Sequence, residues 1–521
     1  MARAPVRGQS HVEVANRELG ATWEVVGSSM PVASFWEARP GSAPPPHLTL
    51  VTKTRASSPV ATMPRVPLFL TFLGCATASL FARAAFLADK LATCRFVPAV
   101  GLFDDLVWQS GSTLESLSNL MVLVGGAALT PARWEGVLNT SFDKTPVIVD
   151  NCFDDHQWWA LGWIRSFEAT GQTRFLDRAA AIFDYIATKG WNATVCGGGV
   201  TWCPPPTGPY KNAITTELFI ASAMALHSHE SLLNVSAGFY VGWAAQAWTW
   251  LENSRMLNDE SLFNDGLNGA TCTNNGQTTW TYNQGVLLDG LASLSRAMNN
   301  ATILNVAERV ARAAMGRLSI DGILVEPCAG GECGGDGQIF KGVFVRHLGA
   351  LARADSALKA DAGPWLDTQA QSLLSTGQCD NEGNMPFRWD GPCDVVTTAT
   401  DSAALDAFTA AASLGGAGGE VDWSPLALGN CVDSNGDSAP NCWKTDIPER
   451  ECRDAASIDT ESIAFDFSTD CIGGTFCRVR TLGGSNACAG GWTWENGTAT
   501  SVTGGNNAER TLCVVRGAAV A

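Results

Sequence analysis

The sequence predicts an all-α protein in which helices pair into hairpins, followed by a small cysteine-rich, β-containing appendage. Apolar residues recur at helical spacing from about residue 108 to residue 415, and few segments alternate with period two. After about residue 420 the composition shifts towards Gly, Thr, Ser and Cys. With 521 residues, of which 46% are hydrophobic and 16% charged, the chain can bury one large core and a smaller one.

The amino-terminal part of the sequence divides into a leader and an export signal. Residues 1–62 are rich in Pro, Ser and Ala, so we interpret them as an unstructured leader or a gene-model extension. Residues 63–84 have the pattern of a signal peptide: a basic start at Arg65, an apolar run from Val66 to Leu80, and small residues before a cleavage site after Ala84. Because the run is too short to span a membrane comfortably, we expect a secreted protein, extracellular or in a cell wall, without a transmembrane anchor.

The large domain, residues 85–420, is predicted to contain ten helices. One helix ends in a turn and the next begins with Ala-rich periodicity, which predicts hairpins that close into a toroid or extend as a solenoid. In a toroid, the Gly- and aromatic-rich loops would gather at one end and form a cleft. These loops are residues 145–155, 191–211, 264–284 and 326–342. The predicted helices are 112–124, 155–169, 175–186, 212–229, 236–254, 283–298, 303–314, 341–354, 362–377 and 396–413.

The cysteines and glycosylation sequons indicate export. Of the 17 Cys residues, Cys75 lies in the signal segment, which leaves an even number for full disulfide pairing. No paired CxxC set is present, so no zinc site is predicted. Short spacings predict three local disulfides, Cys196 with Cys203, Cys328 with Cys333, and Cys379 with Cys393. Five N-x-S/T sequons begin at Asn139, Asn192, Asn234, Asn300 and Asn496.

The carboxyl-terminal appendage, residues 421–521, has two open interpretations. It holds seven Cys and short β-prone segments. Its Trp492 and Trp494 either bind carbohydrate or belong to a packed lid, and the sequence favours neither. The last residues lack a hydrophobic tail, so no GPI anchor is predicted.

Composition excludes some classes of partner and cofactor. The net charge is −17 with no basic stripe, which argues against binding to nucleic acid. The Gly-rich segment after Cys196 lacks the Lys-Ser/Thr ending of a phosphate-binding loop, and we expect neither a cofactor nor a metal. The chain has 19 Trp and only 4 Tyr. Trp rings stack on sugars in binding clefts, although most Trp residues in proteins contribute to the core.

The strongest candidate for chemistry is the adjacent pair Asp154 and Asp155, where a loop enters a helix. A helix amino terminus lowers the pKa of a nearby acid, and two adjacent like charges raise the pKa of one of them. Glycoside hydrolysis requires that difference, with one ionised carboxylate and one protonated acid. The alternative is an ordinary helix cap with a first-turn acid. The second pair, Asp104 and Asp105, shows that adjacent acids also arise without such a role.

Polar residues at two other helix starts are candidates for binding sugar hydroxyls. They are Asn212 and Glu217 in one segment, and Tyr282, Asn283 and Gln284 in another. Helix capping and core hydrogen bonds are the alternative explanation for each of them.

Several motifs, in this order along residues 100–415, resemble glycoside hydrolase family 76. They are Trp108-Gln-Ser-Gly-Ser-Thr-Leu-Glu115, Phe153-Asp-Asp-His-Gln-Trp-Trp-Ala160, Cys196-Gly-Gly-Gly-Val-Thr-Trp202, Tyr210-Lys-Asn-Ala-Ile-Thr-Thr-Glu-Leu-Phe219, Asn264-Asp-Gly-Leu267 and Trp280-Thr-Tyr-Asn-Gln-Gly285. The segment Cys203-Pro-Pro-Pro206 and the appendage depart from the family pattern.

The resemblance implies an (α/α)6 barrel and a retaining, endo-acting attack on α-1,6-mannan. It implies that Asp154 is the nucleophile and Asp155 the acid/base. The implied substrate-binding residues are Trp108, Trp159, Asn212, Glu217, Tyr282, Asn283 and Gln284.

Three other functions remain open. The same scaffold can hand mannose chains to an acceptor sugar as a transglycosidase, or bind carbohydrate without catalysis. Another helical-toroid enzyme, such as an unsaturated-glucuronide hydrolase or a polysaccharide lyase, is the third alternative. A lyase acting on uronates requires a basic cleft, and the predicted cleft loops hold few Lys or Arg residues.

Overall fold

The computed structural model describes residues 71–127, 130–148, 152–205, 209–328, 333–376, 379 and 383–415, together with seven short strands between 431 and 515. All of them belong to one compact unit, Pro67–Ala521. The predicted leader, residues 1–62, lies outside the described residues. No helix in the described part of the chain is both long enough and apolar enough to cross a bilayer.

Six helical segments form an inner ring. Each packs against the next, and the last packs against the first, so the ring is closed as in a toroid and not open as in a solenoid. These helices are buried on nearly all sides. They are α2 (Trp108–Leu123), α4 (Phe153–Thr170), α6 (Ala213–His227), α8 (Thr281–Gly285) continued by α9 (Leu288–Met298), α12 (Phe340–Ala354) and α14 (Thr398–Leu414).

Six outer helices alternate with the inner ones along the described chain and bury one face each. In α5, for example, the apolar stripe predicted from Phe175 to Ile186 is buried, and the opposite face meets solvent. The outer helices are α1 (Thr71–Lys90), α3 (Ala132–Lys144), α5 (Thr173–Tyr185), α7 (Phe239–Ser254), α10 (Ala301–Arg317) and α13 (Ser356–Thr376). The expected (α/α)6 barrel is confirmed. Helices α1 and α3 are not among the ten predicted helices, and they bring the number of outer helices in the described chain to six.

The predicted cleft loops lie at one end of the barrel. Because every inner helix returns through an outer helix, all inner helices run in the same direction. The four loops come directly before α4, α6, α8 and α12, so they meet at the amino-terminal end of the inner ring. The short helix α11 (Gly334–Gly337) lies in the last of these loops.

Helix α1 passes through the expected signal-peptide cleavage site. Leu80, Ala84 and Leu87 are buried, and α1 packs against α14. The Nη2 atom of Arg83 donates a hydrogen bond to the carbonyl of Gly383 at 3.1 Å. The Lys90 ammonium lies 3.1 Å from the buried carboxylate of Asp401. The apolar run that predicts a signal thus continues into the first helix of the barrel.

The described strands are short within the helical domain and more extensive in the appendage. Two antiparallel pairs lie between helices, β1 (Phe96–Val97) with β2 (Leu102–Phe103), and β3 (Ser319–Ile320) with β4 (Ile323–Leu324). In the appendage, five strands form an antiparallel sheet in the order β11-β7-β8-β6-β9, and β5 pairs with β10. The strands are β5 (Cys431–Val432), β6 (Asn441–Thr445), β7 (Ser462–Thr469), β8 (Thr475–Thr481), β9 (Thr493–Glu495), β10 (Gly504–Gly505) and β11 (Thr511–Val515).

The disulfides correct one prediction from sequence spacing. Cys328–Cys333 and Cys379–Cys393 form as expected. The expected pair of Cys196 with Cys203 is wrong, because Cys203 bonds to Cys152 and Cys196 bonds to Cys272. The loops before α4, α6 and α8 converge at the end of the barrel, and this convergence places cysteines of different loops closer than their spacing along the chain indicates.

Candidate active site

Asp154 and Asp155 lie in the first turn of α4, with Cys152 in extended conformation at the cap position. An oxygen of each carboxylate lies within 4.8 Å of the other. Retaining glycosidases hold their two carboxyl groups about 5–5.5 Å apart. The sulfur of Cys152 lies within the same distance of both, but it is bonded to Cys203 and is not a free metal ligand.

Asp154 is 8% exposed and its two oxygens have different surroundings. Oδ2 accepts a hydrogen bond from the indole Nε1 of Trp202 at 2.9 Å. Oδ1 is buried and has no hydrogen-bond partner among the described residues. Burial raises the pKa of Asp154 to about 7, against the lowering effect of the backbone amides at the helix start and of the Trp202 indole.

An aromatic wall adjoins the acids. The ring centroids of Trp158 and Trp108 are 5.4 Å apart, and those of Trp158 and Tyr282 are 6.3 Å apart. Tyr282 also stacks on Phe340 at 3.8 Å. These rings come from the first two turns of α2, α4, α8 and α12, so the barrel gathers them at one end. Trp108 and Tyr282 thus lie at the same end of the barrel as the acid pair, and their contact with substrate stays a prediction.

Asp336, in α11, contributes a third carboxylate to the rim of the site. Its Oδ1 accepts hydrogen bonds from Trp108 Nε1 at 2.9 Å and from Gln109 Nε2 at 2.8 Å. Its negative charge also raises the pKa of Asp154. Sequence reasoning missed this residue, although it had placed the loop that carries Asp336 at the cleft.

Glu217 and Asn283 are fully buried polar residues near the site. Both carboxylate oxygens of Glu217 and both amide atoms of Asn283 lack hydrogen-bond partners among the described residues. Burial, together with the charge of Asp265, raises the pKa of Glu217 well above its usual value. Burial also raises the pKa of Tyr282, as do the charges of Asp265, Asp154 and Glu217, so these carboxylates surround the Tyr282 hydroxyl. Buried polar groups without a protein partner are suited to hydrogen-bonding a polar ligand.

Asn212 and Gln284 have structural hydrogen bonds. Asn212 caps α6, and its Oδ1 accepts a hydrogen bond from the Thr215 hydroxyl at 2.5 Å. The amide of Gln284 accepts from Phe263 N at 2.7 Å and donates to Phe263 O at 3.0 Å and Trp280 O at 2.9 Å. Because Gln284 is also fully buried, its side chain serves to hold the neighbouring loop in place through these hydrogen bonds.

Trp159 lies in the core and not in the cleft. It is 0% exposed, its ring is 5.5 Å from that of Trp163, and the backbone of Gly111 packs directly against it. Successive residues of an α-helix point about 100° apart. Trp158, the preceding residue, is also buried at 1% exposure, and it packs behind the rings of Trp108 and Tyr282. The expected place of Trp159 in the cleft is corrected, because its side chain is enclosed in the core.

The Gly-rich loop before α6 is rigidly packed and carries Trp202. Gly199 has φ +76°, and a Cβ there would lie 2.4 Å from the ring of Trp250. The indole of Trp250 donates to the carbonyl of Cys196 at 2.9 Å. The Lys211 ammonium donates to the carbonyl of Gly199 at 2.5 Å, and burial lowers its pKa to about 7. These contacts explain the glycines of the loop by close packing, without a role in phosphate binding.

Comparison with protein families and curated proteins identifies relatives of this chain. The sequence model described as glycosyl hydrolase family 76 matches residues 98–415. Mannan endo-1,6-alpha-mannosidase DCW1 of Candida glabrata is 24% identical over 58% of this chain and 73% of that protein. The protein of the same name from Saccharomyces cerevisiae is 27% identical over 46% of this chain and 56% of that protein.

Solved structures share the fold. The GH76A alpha-1,6-mannanase of Salegentibacter sp. HEL1_6 matches with a TM-score of 0.55 and 18% identity, over 64% of this chain and 99% of that one. An inactive variant of that enzyme, in which two consecutive aspartates are replaced by alanine, was solved in complex with alpha-1,6-mannotetrose and matches with the same TM-score of 0.55.

Proposed function

This chain belongs to glycosyl hydrolase family 76, and on that premise we propose that it cleaves α-1,6-mannosidic bonds within mannan by a retaining mechanism. The observation that carries the proposal is the pair Asp154 and Asp155, with carboxylate oxygens within 4.8 Å of each other beside an aromatic wall. The named relatives support the choice of substrate, because they are mannan endo-1,6-alpha-mannosidases.

In the proposed reaction, Asp154 is the nucleophile and Asp155 the acid/base. Asp154 attacks the anomeric carbon while Asp155 protonates the departing glycosidic oxygen, which leaves a covalent mannosyl-enzyme. Asp155 then removes a proton from water, and the water oxygen displaces Asp154 from the sugar. The backbone amides at the start of α4 stabilise the ionised form of Asp154 that the first step requires.

The remaining site residues are assigned to substrate binding. The partly exposed rings of Trp108 and Tyr282, which pack against the buried ring of Trp158, offer apolar surface to the C–H face of a pyranose. Glu217 and Asn283 supply hydrogen bonds to sugar hydroxyls, since neither has a partner within the described protein. Site residues on four inner helices thus converge on one bound sugar chain.

We further propose that the protein acts outside the cell. The helical domain contains disulfides that include Cys152–Cys203 and Cys196–Cys272, and disulfides persist mainly in oxidising compartments. Mannan, as an extracellular polymer, would be available to the enzyme there.

The test is digestion of linear α-1,6-mannan by wild type, Asp154→Asn and Asp155→Asn, with product lengths followed over time. Asp105→Asn is the matched control, because Asp105 also follows an adjacent Asp but is exposed. We expect short mannooligosaccharides from wild type and the control, and a loss of about a thousandfold or more in the two site variants.

A second arm adds a mannooligosaccharide acceptor. Products longer than the starting chain would show that a sugar, not water, accepts the mannosyl group, and the assignment would change to a transglycosidase. Intact mannan in both arms, with correctly folded wild type, would exclude α-1,6-mannan as the substrate.

A further inference from the structure

Trp202 is fastened to the start of α4 by its backbone and its side chain. The carbonyl of Trp202 accepts a hydrogen bond from Phe153 N at 2.7 Å, and its own N–H donates to the carbonyl of Tyr210 at 2.8 Å. Its indole Nε1 donates to Asp154 Oδ2 at 2.9 Å. The disulfide Cys152–Cys203 joins the residue before Phe153 to the residue after Trp202. Two chain segments that lie about 50 residues apart are therefore locked together beside one carboxylate.

The contact makes the two oxygens of Asp154 chemically different. Oδ2 is occupied by the indole, whereas Oδ1 has no partner among the described residues. The ring of Trp202 is 38% exposed although its N–H points inward, so part of the indole surface borders the cleft. A tryptophan held only for core packing would have neither feature.

We propose that Trp202 is the positioning residue for Asp154. Its N–H fixes the orientation of the Asp154 carboxylate through Oδ2, and its partly exposed ring contacts the sugar bound there. This inference rests on the proposed function, since it assigns a role within the same site. The Cys152–Cys203 disulfide maintains the arrangement.

The chemistry of the indole group supports this role. An indole N–H is a donor only, so it can bond an ionised carboxylate but cannot accept a proton from a neutral one. Charge-assisted hydrogen bonds of this kind are shorter and stronger than neutral ones. Trp202 thus favours the nucleophilic form of Asp154 in a place where burial favours the protonated form.

The test compares Trp202→Phe with Trp250→Phe. Both variants remove an indole N–H and keep an aromatic ring, but the indole of Trp250, on α7, bonds the backbone carbonyl of Cys196 and not an acid. For Trp202→Phe on α-1,6-mannooligosaccharides, we expect kcat to fall about ten- to a hundredfold, with KM little changed. The acidic limb of the pH–rate profile should move up by about one pH unit, because the carboxylate loses a donor. Trp250→Phe should leave the limb in place.

Infrared titration gives a second readout that does not depend on activity. The carboxyl signal of Asp154, isolated by difference against Asp154→Asn, should titrate at higher pH in Trp202→Phe than in wild type. The double variant Cys152→Ser/Cys203→Ser should move the titration in the same direction by a smaller amount. It also provides the test if Trp202→Phe does not fold.

The outcomes separate this inference from the proposed function. Suppose that wild type is inactive on α-1,6-mannan but the pKa of Asp154 is still higher in Trp202→Phe than in wild type. The substrate assignment is then wrong, and the positioning role is retained. An active wild type whose pH profile and Asp154 titration are unchanged in Trp202→Phe would overturn the positioning role, even if the melting temperature falls.

Discussion

At the scale of single residues, the barrel contains carboxyl groups that burial keeps from ionising easily. Burial raises the pKa of Glu326 and of Asp406 to about 7, and raises that of Glu217 well above 4.5. Glu326 and Asp406 have hydrogen-bond partners, Thr281 and Ser116 respectively, whereas Glu217 has none among the described residues. Glu217 therefore differs from these two acids, which are hydrogen-bonded within the protein.

We predict that Glu217→Gln removes a pH-dependent loss of stability. An acid whose folded pKa is raised contributes most stability below its unfolded pKa, and the contribution is lost as pH rises through the folded pKa. From about pH 4.5 upward, the free energy of unfolding of wild type should fall relative to Glu217→Gln, by up to about 1.4 kcal/mol per pH unit. Urea unfolding at several pH values measures this difference.

Glu252→Gln is the matched control, because Glu252 is exposed on the outer helix α7. Its curve should run parallel to that of wild type. Parallel curves for Glu217→Gln as well would mean that Glu217 is ionised in the folded protein.

At the scale of secondary-structure elements, inner and outer helices differ in how closely their backbones meet other elements. A Cβ added to Gly342 of α12 would lie 2.5 Å from the Cα of Ala403 in α14. A Cβ added to Gly136 of the outer helix α3 would meet nothing within 4 Å. Both glycines lie within helices, and a helical pattern in the sequence does not distinguish them.

We predict opposite effects of alanine at these two glycines. Gly136→Ala should stabilise the protein by about 0.5–1 kcal/mol, because alanine has the higher helix propensity and the site has room. Gly342→Ala should destabilise it by about 1–3 kcal/mol, because α12 and α14 must separate. Chemical denaturation of both variants measures the effects, and stabilisation by Gly342→Ala would show that the inner ring yields to an extra methyl group.

At the scale of the whole molecule, closure of the barrel depends on α1, which overlaps the expected export signal. Leu80 is 1% exposed and Ala84 is fully buried, and Arg83 bonds to Gly383. Cleavage after Ala84 would remove all three contributions from the core. The sequence offers another site with small residues at the same two positions, Ala76 and Ala78.

We therefore expect the secreted protein to begin at Ser79, and not at Ala85. Removal of a buried leucine from a core costs about 2–5 kcal/mol, so a chain that begins at Ala85 should melt at a markedly lower temperature than one that begins at Ser79. Amino-terminal sequencing of secreted protein locates the cleavage, and thermal unfolding compares the two chains. A native terminus at Ala85 with an equal melting temperature would show that the first part of α1 is dispensable.

Much of the fold and part of the site could be inferred without coordinates. Helical periodicity depends on local spacing, so it located most helices and the loops of the cleft. The acid pair was also found, since its position at a helix start is a local feature of the chain. The sequence did not reveal the contacts of Trp202 and Asp336 or the Cys152–Cys203 disulfide. Each of them joins residues that are far apart along the chain.

The order of residues along the chain was sufficient to establish an all-helical barrel, its family and an acid pair at the start of α4, since all of these follow from local pattern and motif order. The tertiary structure alone determines what surrounds each candidate side chain. Trp108 is partly exposed while Trp159 is buried, and Glu217 lacks partners among the described residues while Gln284 is fully bonded. The physical reason is that a one-residue step rotates a helical side chain by about 100°, and its surroundings then depend on helices distant in sequence.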